Sequence, residues 1–341
     1  MTVAPPLLEL KNISKAYAVG RGGRFGLGRR RVVHALIDVN LAVAEGEVLG
    51  LAGESGSGKS TLGRIAVGLE QASAGQVVFE SRHHGRLHNR SARSRLLGLQ
   101  MIFQNSIASL DPRFRSRDAI AEPVRVHRPG IASVQATVEE LAERVGLGTN
   151  LLRRFPHEMS GGQCQRVGIA RALTVQPKLL VCDEPVSALD VSIQAQILNL
   201  FADLKEKSGH SYLFISHDLH VVERVSDRVA IMYLGRIVEI GRTKDVFEAP
   251  RHPYTRALLD AVPQIHKGRR AREPLRGEIP SPLNPPGGCA FHPRCPMAMP
   301  ICSKVVPLMT DVGDGHSSAC HLNAASDGRS IVLQESHREG V

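Results

Sequence analysis

One stretch constrains the fold of this chain more than any other. Glu47-Val-Leu-Gly-Leu-Ala52 is a short apolar run of the kind that forms a buried strand. It leads into Gly53-Glu-Ser-Gly-Ser-Gly-Lys-Ser-Thr61, and a helix-compatible stretch continues to Leu69. A strand, a Gly-rich turn and a helix in that order open a parallel α/β domain. Leu179-Leu-Val-Cys-Asp183 and Tyr212-Leu-Phe-Ile-Ser216 read as two more buried strands, with helices expected over residues 193–207 and 219–225. Residues 33–48 alternate apolar and polar side chains, which predicts antiparallel strands with a turn at Glu45-Gly46. Between residues 97 and 175 strand signals thin out and helical periodicity dominates, as in 134–145, so a helical subdomain is expected there.

The Gly-rich turn has the full phosphate-binding pattern, Gly53-x4-Gly58-Lys59-Ser60. Gly53, Gly56 and Gly58 let the backbone curl so that the N–H groups of Glu54, Ser55, Ser57 and their neighbours face an anion. Lys59 supplies the charge for a β/γ-phosphate, the hydroxyl of Ser60 can ligate Mg²⁺, and Thr61 continues the helix start. The positive end of that helix points at the same anion. Downstream, the apolar strand 179–183 ends in two carboxylates. Asp183 at the strand tip is suited to Mg²⁺, and Glu184 is placed to polarise an attacking water as general base.

Between these motifs lies Met159-Ser160-Gly161-Gly162-Gln163, which resembles the Leu-Ser-Gly-Gly-Gln signature of ABC ATPases, with Met in place of Leu. Gln104 resembles that family's Q-loop glutamine, Ser187-Ala-Leu-Asp190 its D-loop, and His217 its switch histidine. Tyr17 stands where the family places an aromatic ring against adenine. The motifs occur in family order over about residues 6–260. The resemblance implies a P-loop NTPase fold with an antiparallel β portion. It implies ATP and Mg²⁺ as ligands, with the metal on Ser60, Gln104 and Asp183. Catalysis would fall to Glu184, and His217 would stabilise the transferring phosphoryl group. Ser160 can cap a helix whose free N–H groups form a second anion site. The family closes that site over the nucleotide of a second subunit, head to tail. The presence of the signature, Glu184 and His217 argues against a degenerate ATPase.

After about Pro250 Pro becomes dense, and four of the six Cys lie there with spacing C-x5-C-x6-C-x17-C: Cys289, Cys295, Cys302 and Cys320. Four clustered thiols in a reducing compartment suit tetrahedral Zn²⁺ or a [4Fe–4S] cluster, the alternative being four unligated thiols in a Pro-rich tail. The absence of paired C-x2-C knuckles favours iron–sulfur over zinc, with His316 and His321 as alternative ligands. This tail, with His252-Pro-Tyr-Thr-Arg256, resembles the C-terminal extension of dipeptide and oligopeptide importer ATPases, in particular the F-type subunit. Some members of that group carry an iron–sulfur cluster on these cysteines. The expected organisation is an ABC ATPase domain at 1–255, a small Cys-bearing extension at 256–322 reached through a linker, and a disordered tail at 323–341. Cys182 is expected in the core, and Cys164 has no evident role.

The formal net charge is +10, concentrated in Arg21–31 and in 82–95, with no acid between Glu80 and Asp111. Anionic neighbours are implied, without choosing among nucleotide, nucleic acid and membrane. Residues 1–10 lack a signal-peptide core, and no apolar run approaches the ~20 residues of a spanning helix. The expectation is therefore a peripheral subunit on the cytoplasmic face of the inner membrane. By resemblance its partners are a second, D-type ATPase subunit, two transmembrane permease subunits and an extracytoplasmic binding protein, with no nucleic acid. Two rivals remain open at this point. One is an importer ATPase for nickel, opines or oligosaccharides. The other is a soluble ABC ATPase acting on ribosomes or DNA, although neither a second cassette nor a long coiled coil is present.

Overall fold

The computed structural model describes residues 5–19, 31–83, 96–261 and 277–324. The arginines at 21–30 and 86–95 and the tail beyond 324 lie outside the described residues. Two sheets organise the molecule. The smaller is antiparallel, order β2-β1-β4-β5, built from β1 (Leu8–Val19), β2 (Arg31–Val43), β4 (Ala74–Phe79) and β5 (Arg82–His83). The larger has eight strands, order β11-β12-β10-β9-β3-β8-β7-β6.

In the larger sheet, β6 (Leu99–Ile102), β7 (Leu179–Asp183), β8 (Ser211–Ile215), β3 (Val48–Ala52) and β9 (Arg228–Tyr233) run parallel. Every residue of β3, β7 and β8 is buried. Continuous apolar strands of this kind are stable only with both faces covered. Helix α1 (Lys59–Ala66) packs on β7 and β8, and α6 (Leu219–Val225) packs on β3. The smaller sheet contributes Leu8, Leu10, Ile13, Leu36 and Val39 to the same core as Leu49, Leu51, Leu62 and Ile215.

β6 was not anticipated: it lies inside the stretch expected to be helical, and its four residues pair in parallel with β7. Helices begin after it, with α2 (Ser116–His127), α3 (Val134–Arg144) and α4 (Gly161–Leu173) between β6 and β7. Four residues are too few to display a period, and Gln100 and Gln104 dilute the apolar signal. Ser133 caps α3 by accepting from Ala136 N, so the helix starts where the pattern predicted. Cys164 and Cys182 are both buried in the core that joins this helical layer to the sheet.

The tail is joined to the central sheet by strand pairing. β10 (Arg236–Arg242) pairs with β9, β12 (His316–Ser318) pairs with β10, and β11 (Thr310–Gly313) pairs with β12. The extension thus continues the central sheet. Phe291, 1% exposed, stacks edge-on against Tyr233 at 5.4 Å and meets Tyr254 of α7 (Pro253–Ala261) at 5.4 Å. Burying a ring of that size stabilises by about 1.5–3 kcal/mol. Beneath it, His316 Nε2 lies 2.7 Å from Glu239 Oε1, and Glu239 also accepts from the backbone N–H groups of Arg251 and His252. These contacts, absent from any local pattern, fasten the tail to the sheet.

Candidate nucleotide site

Four adjacent parallel strands end level with one another. Leu51 and Asp183 both pair with Ile215, and Ile102 pairs with Cys182. The loop after β3 is Gly53–Gly58, the loop after β6 carries Gln104, Asp183 and Glu184 close β7, and His217 follows β8. Ligands of open α/β sheets bind at this carboxyl edge, so the topology collects the sequence motifs in one place.

The loop requires its glycines. Gly53 has φ +148°, and a Cβ there would sit 2.1 Å from the carbonyl oxygen of Met232. Gly58 has φ +106°, and its Cβ would meet the Ala35 carbonyl of β2 at 2.5 Å. The smaller sheet therefore backs the loop directly, reinforced by Ile37 N donating to Gly235 O at 2.9 Å. Ser55 and Gly56 form the exposed tip, while Ser57 is buried. Lys59, 4% exposed, donates from Nζ to the carbonyls of Gly53 (2.7 Å) and Glu54 (2.9 Å). Burial lowers its pKa, opposed by the charges of Glu184, Asp183 and Glu54. An ammonium ringed by carbonyls and acids is poised for a polyanion.

Ser60 donates from Oγ to Asp183 Oδ1 at 2.7 Å. Asp183 is 4% exposed, and burial pushes its carboxyl above the ordinary value while the Ser60 bond and the nearby charge of Arg64 pull it back. A buried carboxylate beside a hydroxyl is a pair of hard oxygen donors, and it fits Mg²⁺. Gln104 is not on this pair. Its Nε2 donates to Glu184 Oε2 at 2.7 Å and reaches Ser187 Oγ at 3.4 Å.

Glu184 is the centre of the arrangement. Its Oε1 lies 3.0 Å from His217 Nδ1, so one carboxylate is held between Gln104 and His217. Its side chain is 12% exposed. Its backbone has φ +48°, a strained conformation for Glu, and its N–H donates to Ile215 O at 2.9 Å. The turn aims the side chain away from Asp183 and gives the two consecutive acids separate partners.

Tyr17 on β1 lies half-buried, its hydroxyl bonded to Glu70, and the side chain of Thr61 reaches the same hydroxyl. Lys15 Nζ sits 4.9 Å over the Tyr17 ring and 3.0 Å from Glu70 Oε1. The ring is thus fixed near the start of α1. Ser160 caps α4 as its spacing predicts: Ser160 Oγ accepts from Gln163 N at 3.3 Å, and Gln163 Oε1 accepts from Ser160 N at 3.0 Å. Ser160 is exposed, Gly161 lies against Leu189, and Gly162 lies against α5 (Val191–Ser208), where a Cβ on Gly162 would come 2.4 Å from Ile193 Cγ2. The free end of α4 therefore faces outward on the helical layer.

Two contacts went unforeseen. The Glu54 carboxylate is held by Arg294 of the extension, and the Glu54 N–H donates to the Tyr254 hydroxyl at 2.9 Å. No local signal could have found them, since Glu54 and Arg294 are 240 positions apart.

Cys289, Cys295, Cys302 and Cys320 do line one cavity, together with His292, His321 and Phe291. All four are free thiols. Burial raises the pKa of Cys289 and Cys295 and pushes Cys320 up to about 11. The expected iron–sulfur cluster gains no support from this geometry. Among the described residues no group of three or more His, Cys, Asp or Glu side chains is disposed to hold a metal ion. Nor does any helix among them have the length and apolarity to cross a membrane.

Comparison with known proteins agrees with this geometry. The ABC transporter family matches residues 36–187, and the C-terminal region of oligopeptide/dipeptide transporters matches residues 238–302. The oligopeptide transport ATP-binding protein AppF of Bacillus subtilis is 46% identical over 323 residues, covering 93% of this chain and 97% of AppF. OppF of Escherichia coli K12 is 45% identical over 320 residues, covering 92% and 95%. Among solved structures, the dimeric ATP-binding cassette MJ0796 in a post-hydrolysis state with ADP and Pi superposes with a TM-score of 0.62. It is 27% identical and covers 69% of this chain and 98% of that one. A phosphate loop, a paired Ser60 and Asp183, an acid held by Gln104 and His217, and a capped signature helix on one cassette fold lead to one conclusion: this chain belongs to the ATP-binding subunits of ABC transporters and is an ATP hydrolase.

Proposed function

We propose that this chain hydrolyses ATP to drive the import of peptides, working as a peripheral subunit on the cytoplasmic face of a bacterial inner membrane. The observation that carries the reading is the match of residues 238–302 to the oligopeptide/dipeptide transporter C-terminal region. Most of β10 lies in that region and pairs with β9 in the central sheet, and β12, just beyond it, pairs with β10. The relatives named for oligopeptide transport support it.

In this reading Lys59 and the loop N–H groups bind and orient the β/γ-phosphates. Ser60 and Asp183 would hold Mg²⁺, which supplies charge neutralisation at the phosphates. Gln104 and His217 orient the Glu184 carboxylate, and Glu184 takes the proton of the attacking water. His217, released from Glu184, turns toward the phosphoryl group. Tyr17 offers its ring to the base. The outward α4 end at Ser160 needs an anion from elsewhere, which a head-to-tail second ATPase subunit would present. We assign that partner to a D-type paralogue, with two permease subunits and an extracytoplasmic peptide-binding protein completing the assembly. A soft metal on the four cysteines belongs to the same reading only as a separate proposal, checked by iron and zinc content of anaerobically prepared protein.

The test is purification of the complex from native membranes, subunit identification by mass spectrometry, and ATPase assay in proteoliposomes. Peptide-loaded binding protein is expected to stimulate hydrolysis. Stimulation by a nickel- or oligosaccharide-loaded binding protein, with peptides inert, would refute the cargo assignment.

A further inference from the structure

We propose that Arg294, delivered by the C-terminal extension, is a positioning residue of the nucleotide site that neutralises and orients Glu54 of the phosphate loop. The contact is bidentate: Arg294 Nη1 donates to Glu54 Oε2 at 2.8 Å and Nη2 to Glu54 Oε1 at 3.0 Å. The Arg294 side chain is 5% exposed. Its Nη1 also reaches the Tyr233 hydroxyl at 3.4 Å, and its guanidinium lies 5.9 Å from the Tyr233 ring centre. A planar fork that reaches a tyrosine hydroxyl and is aimed at both oxygens of one carboxylate fixes direction as well as charge.

Glu54 matters because of where it sits. It follows Gly53 at the start of the loop, and its carbonyl accepts from Lys59 Nζ at 2.9 Å. Its charge acts on Lys59. A free carboxylate there would repel the incoming phosphates and compete for the lysine. Arg294 removes that charge from play. Tyr254 holds the same residue by its backbone N–H, so Glu54 is gripped at both ends. Arg294 is itself immobilised from both sides. Its N–H donates to the carbonyl of Phe291, and Phe291 is locked between Tyr233 and Tyr254. The phosphate loop is thus braced on one side by β2 of the cassette and on the other by the extension.

The reading separates cleanly from simple packing by a double-variant experiment on the full chain. Binding is measured by titration with a fluorescent methylanthraniloyl ATP analogue and Mg²⁺. R294M is expected to weaken binding by roughly tenfold or more, the effect of one uncompensated charge beside bound phosphate. In the assembled complex the same variant should raise KM for ATP far more than it lowers kcat. The double variant R294M/E54Q has no stranded charge and should bind at least about fivefold more tightly than R294M. R294K, which keeps the charge but not the fork, should fall between R294M and the parent. Melting temperatures are recorded for all four. If R294M binds like the parent, or if E54Q does not relieve it while the melting temperatures of the two variants agree, the role is structural and the proposal fails.

Discussion

Glu184→Gln is the perturbation whose outcome the geometry specifies most fully. The parent carboxylate accepts from Gln104 Nε2 at 2.7 Å and faces His217 Nδ1 at 3.0 Å. A glutamine has the same shape. Its carbonyl oxygen can still accept from Gln104, and its NH₂ can meet His217 once the imidazole presents an unprotonated Nδ1. At most one hydrogen bond is weakened, which costs about 0.5–1.5 kcal/mol of stability. The backbone strain at φ +48° is unchanged by the substitution, because both residues carry the same Cβ. Removing a general base costs about 10²–10⁴ in rate, equivalent to roughly 2.7–5.5 kcal/mol of barrier. The effect on catalysis should therefore exceed the effect on folding several-fold. The assay pairs phosphate release by the assembled complex with equilibrium binding of MgATP and a melting curve. Hydrolysis should collapse while binding persists and the melting temperature moves by a few degrees at most. A variant that melts normally and retains more than about a tenth of the parent rate would show that another group takes the proton.

Two more outcomes follow from the same site. Asp183 has its pKa raised by burial, so without metal its charged form opposes folding: stability from this group is full below the ordinary carboxylate value and lost as pH rises through the raised one. Asp183→Asn should then raise the melting temperature of metal-free protein at neutral pH, by a margin that narrows on acidification, and should abolish the further stabilisation conferred by Mg²⁺ with nucleotide; a variant less stable than the parent in chelator would contradict this. Ser160→Ala removes the α4 cap bonded to Gln163 N and should cost about 1 kcal/mol of stability. Because Ser160 also sits at the exposed helix start, cooperative ATPase activity of the complex should fall far beyond that amount, and nucleotide binding to the isolated chain should not change. Equal loss of both would argue against a role for Ser160 across the subunit interface.

The legible parts of this protein were those with a short-range cause. The strand before Gly53, the helix after it and the Ser160 helix cap are all set within a few residues, through the backbone freedom of glycine or hydrogen bonds between near neighbours. Glu184 could be named because it stands at the end of an apolar strand and His217 because it resembles the family's switch histidine, although neither signal says what they touch. β6 escaped notice because four residues with polar neighbours carry no readable period. The cysteine tail shows the converse failure. Its spacing suggested a metal centre, and the fold brings the four thiols around one cavity without forming a metal-holding group among the described residues.

By itself, then, the sequence determined a phosphate-binding α/β core and the identity of each chemical group. Tertiary structure alone decided that Gln104 and His217 converge on one carboxylate, that Gln104 leaves Ser60 and Asp183 to each other, and that Arg294 crosses 240 positions to hold Glu54. The physical reason is the range of the forces involved. Propensity, capping and glycine geometry act between near neighbours along the chain. Which distant side chains meet depends on parallel strand order and on the burial of large rings such as Phe291, and neither is written in any local pattern.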